Sequence, residues 1–196
     1  MIHVKDDKRS KKSASLLVDG LAKCLKDKQI ENITISDIQK ASGVSRATFY
    51  RLFDTVEDIL AYKCEELAHD LKTRFMNKDK DPNEDFLLFS IKYWIENNAY
   101  IEAMYRSNRS DIFQDALIKE TETDDFTIGS YTYNQQVESD DITIRLKKEY
   151  ILSSLIGSLS SILMCWIKNG RKETPEELYS TFFEFGHFME TLKNSK

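Results

Sequence analysis

Residues 33–53, with the sequence ITISDIQKASGVSRATFYRLF, decide the fold of this chain. Thr34 lies just before a helical run that has Asp37 at its third position, which is the pattern of a capping box. Gly43 ends this first short helix, because glycine readily takes the left-handed conformation found after helix C-termini. Ser45 then caps a second short helix that runs to the end of the stretch. The pattern predicts two short helices joined by a tight turn.

The two short helices have chemically different faces. Ile38, Val44 and Phe49 can bury one shared face, and the opposite face carries guanidinium and hydroxyl groups suited to bases and phosphates. The N-termini of both helices add backbone N–H groups for phosphate. We predict a helix-turn-helix unit that binds DNA; an ordinary helical corner with a solvated charged face is the simpler alternative. The residues predicted to contact DNA are Lys11, Lys12, Thr34, Ser36, Ser45, Arg46, Ala47, Thr48, Tyr50, Arg51 and Thr55.

The distribution of charge supports this prediction, although the chain as a whole has a net charge of -5. Residues 1–53 contain 11 Lys+Arg against 6 Asp+Glu, a net charge of +5. Residues 54–196 contain 17 Lys+Arg against 27 Asp+Glu, a net charge of -10. A basic N-terminal part on an acidic body is typical of a nucleic-acid-binding protein with a separate second function.

Composition and spacing indicate helices along the rest of the chain. The chain has only 6 Gly and 2 Pro, which disfavours hairpin-rich β folds, and its apolar residues recur at helical spacing. We therefore predict an all-α fold, with a three-helix DNA-binding domain at residues 1–53 and a helical regulatory and dimerisation domain at residues 54–196. A loop is predicted at residues 121–141, and a helix start at residues 81–84.

Cysteine usage and the apolar segments limit the possible classes further. Cys24, Cys64 and Cys165 are odd in number and widely spaced, and the histidines show no metal-ligand spacing, so we predict no disulfide framework, metal or cofactor. The N-terminal residues lack the apolar region of a signal peptide. Residues 150–167 are uncharged but rich in serine, which predicts a buried packing helix rather than a membrane span. The expected location is the cytoplasm.

Two long helices are predicted near the C-terminus, at about residues 143–169 and 175–193. Each has apolar residues at alternating steps of three and four, and each is also apolar beside that stripe. Because one small chain can hardly cover both helices, we predict that they pair with a second copy in a four-helix bundle. Gly157 and Ser161 would permit close helix approach. The predicted interface residues are Leu152, Leu155, Leu159, Ile162, Trp166, Leu178, Phe182, Phe185 and Met189.

Aromatic side chains in the middle of the chain suggest a ligand pocket, although plain core packing is the favoured explanation for each of them. No Gly-rich phosphate loop, nucleophile elbow or HExxH motif occurs, so we predict that the chain is not an enzyme. Asp111 and Asp115 lie one helical turn apart, and a solvated helix face explains them simply. The predicted pocket residues are Phe89, Tyr93, Trp94, Tyr100, Met104, Tyr105, Phe113 and Ile156.

At residues 34–60 the chain resembles the TetR (tetracycline repressor) family of bacterial transcription regulators. The matching pattern is T-x-x-x-I-x-x-A-S-G-V-S-x-A-T-F-Y-x-x-F, followed by x-T-x-E-D-I-L. Residues 166–178 resemble the junction between the family's last two helices. The resemblance implies a three-helix DNA-binding unit at about residues 8–53 and a connecting helix at about residues 55–77. It also implies a ligand-sensing body and dimerisation through the last two helices.

Two positions depart from the family's usual pattern. Val56 stands where members usually have a basic residue, and Leu52 stands where they often have His or another polar residue. Both positions commonly contact phosphate in the family. We therefore expect one or two fewer phosphate contacts per half-site, with weaker and less salt-sensitive binding.

The predicted function is a homodimeric, ligand-responsive and sequence-specific DNA-binding regulator, most often a repressor in such families. Residues 45–51 of each subunit would enter the major groove, and the half-sites would lie one helical turn of about 34–36 Å, or a small multiple, apart. Its expected partners are a double-stranded operator, a second copy and a small-molecule effector. The alternative is an adaptor or co-regulator of the same fold that acts through a protein partner, and an enzyme is the least favoured class.

Overall fold

A computed structural model describes residues 1–77, 86–121 and 142–194. These residues form nine α-helices and one short 3₁₀ turn at Ile30–Asn32. The predicted all-α fold is confirmed. The predicted loop at 121–141 and helix start at 81–84 lie outside the described residues, apart from Thr121, which ends a helix. The helices are α1 Lys8–Cys24, α2 Ile35–Ser42, α3 Arg46–Leu52, α4 Val56–Met76, α5 Phe86–Glu96, α6 Asn98–Arg106, α7 Ser110–Thr121, α8 Ile142–Lys168 and α9 Pro175–Asn194.

The chain divides into two compact units. The first unit contains Met1–Asp70 and Ala99–Glu120, and the second contains Leu71–Asn98 and Thr121–Lys196. The first unit therefore extends well past Phe53, where the sequence places the end of the DNA-binding domain. The compact units therefore have other boundaries than the predicted functional domains. The division into domains at residues 1–53 and 54–196 stays a prediction.

Helices α1 to α3, called the head below, pack around a shared apolar core. Leu17, Leu21, Ile38, Phe49 and Phe53 have no measurable exposure. Complete burial of such a side chain stabilises a fold by about 1.5–3 kcal/mol, so these residues are enough to hold three short helices together. The contact between α1 and α2 is the most extensive in the head.

Gly20 sets how closely α1 and α2 approach. A Cβ atom added at Gly20 would lie 2.8 Å from Cβ of Ser42 and 3.3 Å from the carbonyl oxygen of Ile38. Neither atom is the flexible end of a long side chain, so the crossing has no room for a larger residue. No pattern in the sequence indicates this contact.

The predicted capping residues of the head are confirmed. Thr34 Oγ1 accepts a hydrogen bond from the backbone N–H of Asp37 (3.2 Å), and Asp37 Oδ2 accepts one from the backbone N–H of Thr34 (2.9 Å). Gly43 follows α2 with a φ of 72°, the left-handed conformation that favours glycine. Ser45 caps α3 by accepting from the backbone N–H of Thr48.

Helix α4 begins on the head and packs against α6 and α7 within the first unit. Its start has the predicted cap, since Asp58 accepts from the backbone N–H of Thr55 at 2.9 Å and donates its own N–H to Thr55 Oγ1. Cys64 Sγ lies 3.5 Å from Met104 Sδ of α6. Burial raises the pKa of Cys64 to about 12, so its thiol stays protonated and behaves as an apolar packing group.

In the second unit, α5 packs mainly on α9 and also on α8. The ring of Phe75 meets that of Phe86 edge-on, with centroids 5.0 Å apart. The indole Nε1 of Trp166 donates to the carbonyl of Glu173 at 3.1 Å, which fixes the turn between α8 and α9. Thr174 caps α9 as predicted, through reciprocal hydrogen bonds with Glu177.

The stretch Tyr150–Lys168 of α8 is long and apolar enough to cross a membrane by length and composition, with a mean hydropathy of 1.7, and 28% of it is buried within the chain. It is the one such stretch in the described part of the chain. A core helix of a soluble protein meets the same criterion. Leu159, Leu163 and Trp166 are buried, so one side of this helix packs inside the protein.

Candidate nucleic-acid interface

The predicted DNA-contacting residues lie on the surface of the first unit. All of them are exposed except Thr48, which is half-buried. On α3, Phe49 and Leu52 face the core, so the remaining side chains of this short helix point outward. The helix thus presents the polar face that the sequence predicts.

Arg46 and Tyr50, one helical turn apart on α3, form a pair. Arg46 Nη2 donates to the Tyr50 hydroxyl at 3.2 Å, and the guanidinium carbon lies 5.5 Å from the centre of the tyrosine ring. Tyr50 is 46% exposed and is itself packed edge-on against the buried ring of Phe49. Phe49 therefore supports Tyr50, and Tyr50 orients Arg46, which lowers the entropy that the guanidinium would lose on binding a partner.

Other predicted contact groups already have partners within the chain. Ser45 and Thr48 hydrogen-bond each other through their hydroxyls at 3.1 Å. Lys11 pairs with Asp6 at 2.5 Å, and Thr34 is engaged by Asp37 as described above. Binding phosphate through Lys11 would require this exposed ion pair to separate, which costs little because solvent screens such pairs.

The N-terminus of α2 is held by a further charge. Lys28 Nζ lies 2.8 Å from Asp37 Oδ1, and the ammonium holds the pKa of that carboxyl well below its usual range. Asp37 thus caps α2 and pairs with the segment that follows α1. Ser36, one residue earlier, is left exposed at the end of the helix where its backbone N–H groups point outward.

The first residues of the chain make a contact with the end of α3 that the sequence did not predict. Ile2 and Phe53 form an isolated antiparallel bridge, and the backbone N–H of His3 donates to the carbonyl of Leu52 at 2.8 Å. His3 Nε2 lies 3.0 Å from Asp54 Oδ1. The first residues therefore lie along the end of α3. Two or three residues carry no periodicity, so no sequence signal indicated this pairing.

Leu52 and Val56 are both buried in the first unit. The two departures from the family pattern thus place apolar side chains in the core. They pack there, and they have no hydrogen-bond donor or positive charge for a phosphate. The expected loss of phosphate contacts at these positions stays a prediction.

The predicted pocket residues are divided between the two units. Those in the second unit are Phe89, Tyr93, Trp94 and Ile156; those in the first unit are Tyr100, Met104, Tyr105 and Phe113. Trp94, Met104 and Phe113 have no measurable exposure, as core residues do. Tyr100 lines a cavity of about 390 Å³ within the first unit, and the other seven do not line that cavity.

The predicted dimer residues differ in how much one chain covers them. Leu159, Trp166 and Leu178 are already buried in a single chain, and Leu152, Leu155, Ile162 and Phe182 are half-buried. Phe185 and Met189 lie on α9, and their side chains are outside the description. Exposed apolar residues nearby are Tyr150, Ile151 and Phe183.

Comparison with known proteins identifies both parts of the chain. Residues 17–62 match the family described as "Bacterial regulatory proteins, tetR family". Residues 81–187, more than half of the chain, match the family described as "Transcriptional regulator C-terminal region".

Individual relatives agree with these matches. The HTH-type transcriptional regulator SAB2452 of Staphylococcus aureus (strain bovine RF122 / ET3-1) is 23% identical over 150 residues, which cover 72% of this chain and 77% of that protein. The crystal structure of Lin0861 from Listeria innocua superposes with a TM-score of 0.70 at 17% identity, covering 96% of this chain and 98% of that one. A TetR transcriptional regulator from Streptococcus agalactiae 2603V superposes with a TM-score of 0.56 at 21% identity, covering 89% and 93%.

The helix-turn-helix head, the all-α body and the family matches along both parts point to one conclusion. This chain belongs to the TetR family of bacterial transcriptional regulators.

Proposed function

We propose that this regulator binds a specific operator as a homodimer, that a small molecule in its body changes operator affinity, and that it acts as a repressor. The observation that carries the proposal is the exposed Arg46–Tyr50 pair on α3, held in place by the buried Phe49. An arginine held in this way suits bidentate pairing with guanine in the major groove. The basic charge of residues 1–53 supplies attraction to the phosphate backbone.

Operator binding is tested by gel-shift titration of the purified full chain against DNA from upstream of its own gene. We expect a sequence-specific shift that survives excess non-specific competitor, with affinity that falls as salt rises. Absence of any specific shift at low salt, with and without cell extract, would contradict the proposal. A shift seen only with extract would instead favour the alternative below.

The alternative is a co-regulator of the same fold that acts through a protein partner. The observation that favours it is that Leu52 and Val56 are apolar and buried. At these two positions other members of the family commonly have groups that contact phosphate. The exposed Arg46 favours direct DNA binding over this alternative.

The homodimer is supported by the exposed apolar surface of α8 and α9. Ile151 is 50% exposed and Phe183 is 58% exposed, on helices that are apolar over most of their circumference. Helix α8 also carries small residues. A Cβ atom added at Gly157 would have no other side chain or segment within 4 Å, and Ser158 and Ser161 are exposed. A surface of this kind allows two copies of α8 to approach closely, as small residues do at other helix interfaces.

We expect Gly157→Arg to shift the protein from dimer to monomer, because one chain has space for the new side chain and a close helix pair does not. Sedimentation velocity at micromolar concentration measures the change. Leu16→Glu, which alters an exposed apolar residue of α1, is the matched control and should leave the mass unchanged. A Gly157→Arg protein that remains dimeric would place the interface elsewhere.

A further inference from the structure

The first unit contains a cavity that the proposed DNA interface does not use. It has a volume of about 390 Å³ and lies between the end of α1, with the turn that follows it, and α6, which lines it from Ala99 to Arg106. This volume is within the usual range of small-molecule sites, about 300–1,000 Å³. Its apolar lining includes Leu25, Ile30 and Ala103.

The charged groups around this cavity are mostly cationic. Lys26, Lys28 and Arg106 line it, and Glu102 is the single carboxylate among the lining residues. Arg106 pairs with Glu102 at 2.6 Å, and Lys28 pairs with Asp37. Lys26 is exposed and has no ion pair within residues 1–77, 86–121 and 142–194, so its charge is available to a ligand.

Tyr100 also lines the cavity. Burial, together with the nearby carboxylates of Asp19 and Glu66, raises the pKa of its hydroxyl, and neither carboxylate is among the lining residues. We therefore assign Tyr100 to the wall of the cavity. The cavity thus combines an apolar wall with the ammonium of Lys26, unpaired within the described residues.

We propose that this cavity binds a small organic acid, with the apolar part against Leu25 and Ile30 and the carboxylate or phosphate facing Lys26 and Lys28. Neutral molecules of the same shape would leave the ammonium without a partner. Cationic ones would be repelled. The site is distinct from the aromatic residues of α5, which belong to the other unit.

The cavity is connected to the head through Lys28. Lys28 lines the cavity and also pairs with Asp37, the residue that caps α2. An acid in the cavity competes with Asp37 for this ammonium, which loosens the N-terminus of α2 where Thr34 and Ser36 are predicted to contact phosphate. The bound acid therefore weakens operator binding, and this regulatory step rests on the function proposed above.

Binding is tested on the full chain without DNA, by methyl NMR of labelled alanine and isoleucine. The probes are benzoate and phenyl phosphate, with benzyl alcohol as the neutral analogue and benzylammonium as the cationic one. We expect the two anions to shift the methyl signals of Ile30 and Ala103 and to bind at least 5-fold more tightly than the alcohol. Stronger binding of phenyl phosphate than of benzoate assigns the natural ligand to phosphate esters, and the reverse assigns it to carboxylic acids.

Variants separate this site from a general electrostatic effect. Lys26→Gln should weaken benzoate binding 3- to 10-fold, and Lys8→Gln, which removes the same charge at the other end of α1, should not. Ala99→Trp adds a ring at an exposed lining position and should abolish binding without lowering the unfolding temperature. Equal affinity for the alcohol, methyl shifts located elsewhere, or no effect of Lys26→Gln would each overturn the proposal.

The regulatory step is measured separately, by operator titration with and without saturating benzoate. We expect a 2- to 5-fold loss of operator affinity, and a smaller loss when Asp37→Asn has already removed the competing charge. Acid binding with unchanged operator affinity would overturn the coupling through Lys28. A chain that binds the acid but no operator would contradict the proposed function and leave the binding site intact.

Discussion

Gly20→Leu is expected to destabilise the head by about 3 kcal/mol, which is a large part of the stability of a small domain. The new side chain would enter the crossing of α1 and α2, where even a Cβ atom would lie 2.8 Å from Cβ of Ser42 and 3.2 Å from its backbone nitrogen. Both atoms belong to α2, so relief requires the two helices to separate. Separation would expose the apolar core that they share.

The measurement is thermal unfolding of the full chain followed by circular dichroism. Gly20→Ala should be intermediate, because the gain in helix propensity of about 1 kcal/mol opposes the steric cost. Ser15→Leu adds the same side chain at an exposed position of α1 and should change stability by less than about 0.5 kcal/mol. If Gly20→Leu and Ser15→Leu unfold at the same temperature, the crossing is looser than the structure shows.

Arg46→Ala is expected to lower operator affinity about 100-fold. A bidentate contact between arginine and guanine contributes about 1–3 kcal/mol of discrimination, and a homodimer loses one such contact in each half-site. The loss should fall mainly on the specific operator, because non-specific binding depends on phosphate contacts. Tyr50→Phe keeps the ring under the guanidinium and removes only the 3.2 Å hydrogen bond, so we expect a smaller loss of about 3- to 10-fold.

Fluorescence anisotropy with labelled operator and with a scrambled duplex measures both effects. Lys168→Ala, which removes an exposed cation from the end of α8, is the control and should leave both affinities unchanged. An equal loss on both duplexes would mean that Arg46 contacts phosphate rather than a base. No loss on either would mean that α3 is not the recognition helix.

Local features of the head could be predicted from the sequence because each depends on neighbouring residues. A cap or a turn is defined by residues only a few positions apart. The capping box of Thr34 and Asp37, the turn at Gly43 and the cap at Ser45 are of this kind. The solvent-facing side of α3 could be predicted in the same way, since Phe49 marks its buried side; the burial of Leu52 on that side was not predicted.

Contacts between distant segments could not be predicted in this way. From the sequence alone, Gly20 is only a residue of low helix propensity inside α1. Its close contact with Ser42 is visible only in the structure. The pairing of Ile2 with Phe53 joins positions some fifty residues apart and depends on no repeated pattern. The extension of the first unit to Asp70, and its inclusion of α6 and α7, likewise depend on how helices pack and not on their order.

The candidate ligand site shows a second limit. Aromatic residues such as Trp94 and Phe113 suggested a pocket, yet both are fully buried, and a sequence does not distinguish a ring that lines a cavity from one that fills it. The cavity beside α6 is marked by cations and small residues that come from separate segments of the chain. Only their arrangement in space makes them a group.

Leu52 and Val56 occupy positions where core packing and phosphate contact require different kinds of side chain. An apolar residue there strengthens the core of the first unit, whereas a polar or basic one would serve the operator, and one side chain cannot do both. We expect a regulator with apolar residues at these positions to be more stable and to bind its operator less tightly at a given salt concentration. Directed evolution for tighter operator binding should therefore find substitutions at these two sites early, and should need compensating mutations elsewhere in the core to keep the head folded.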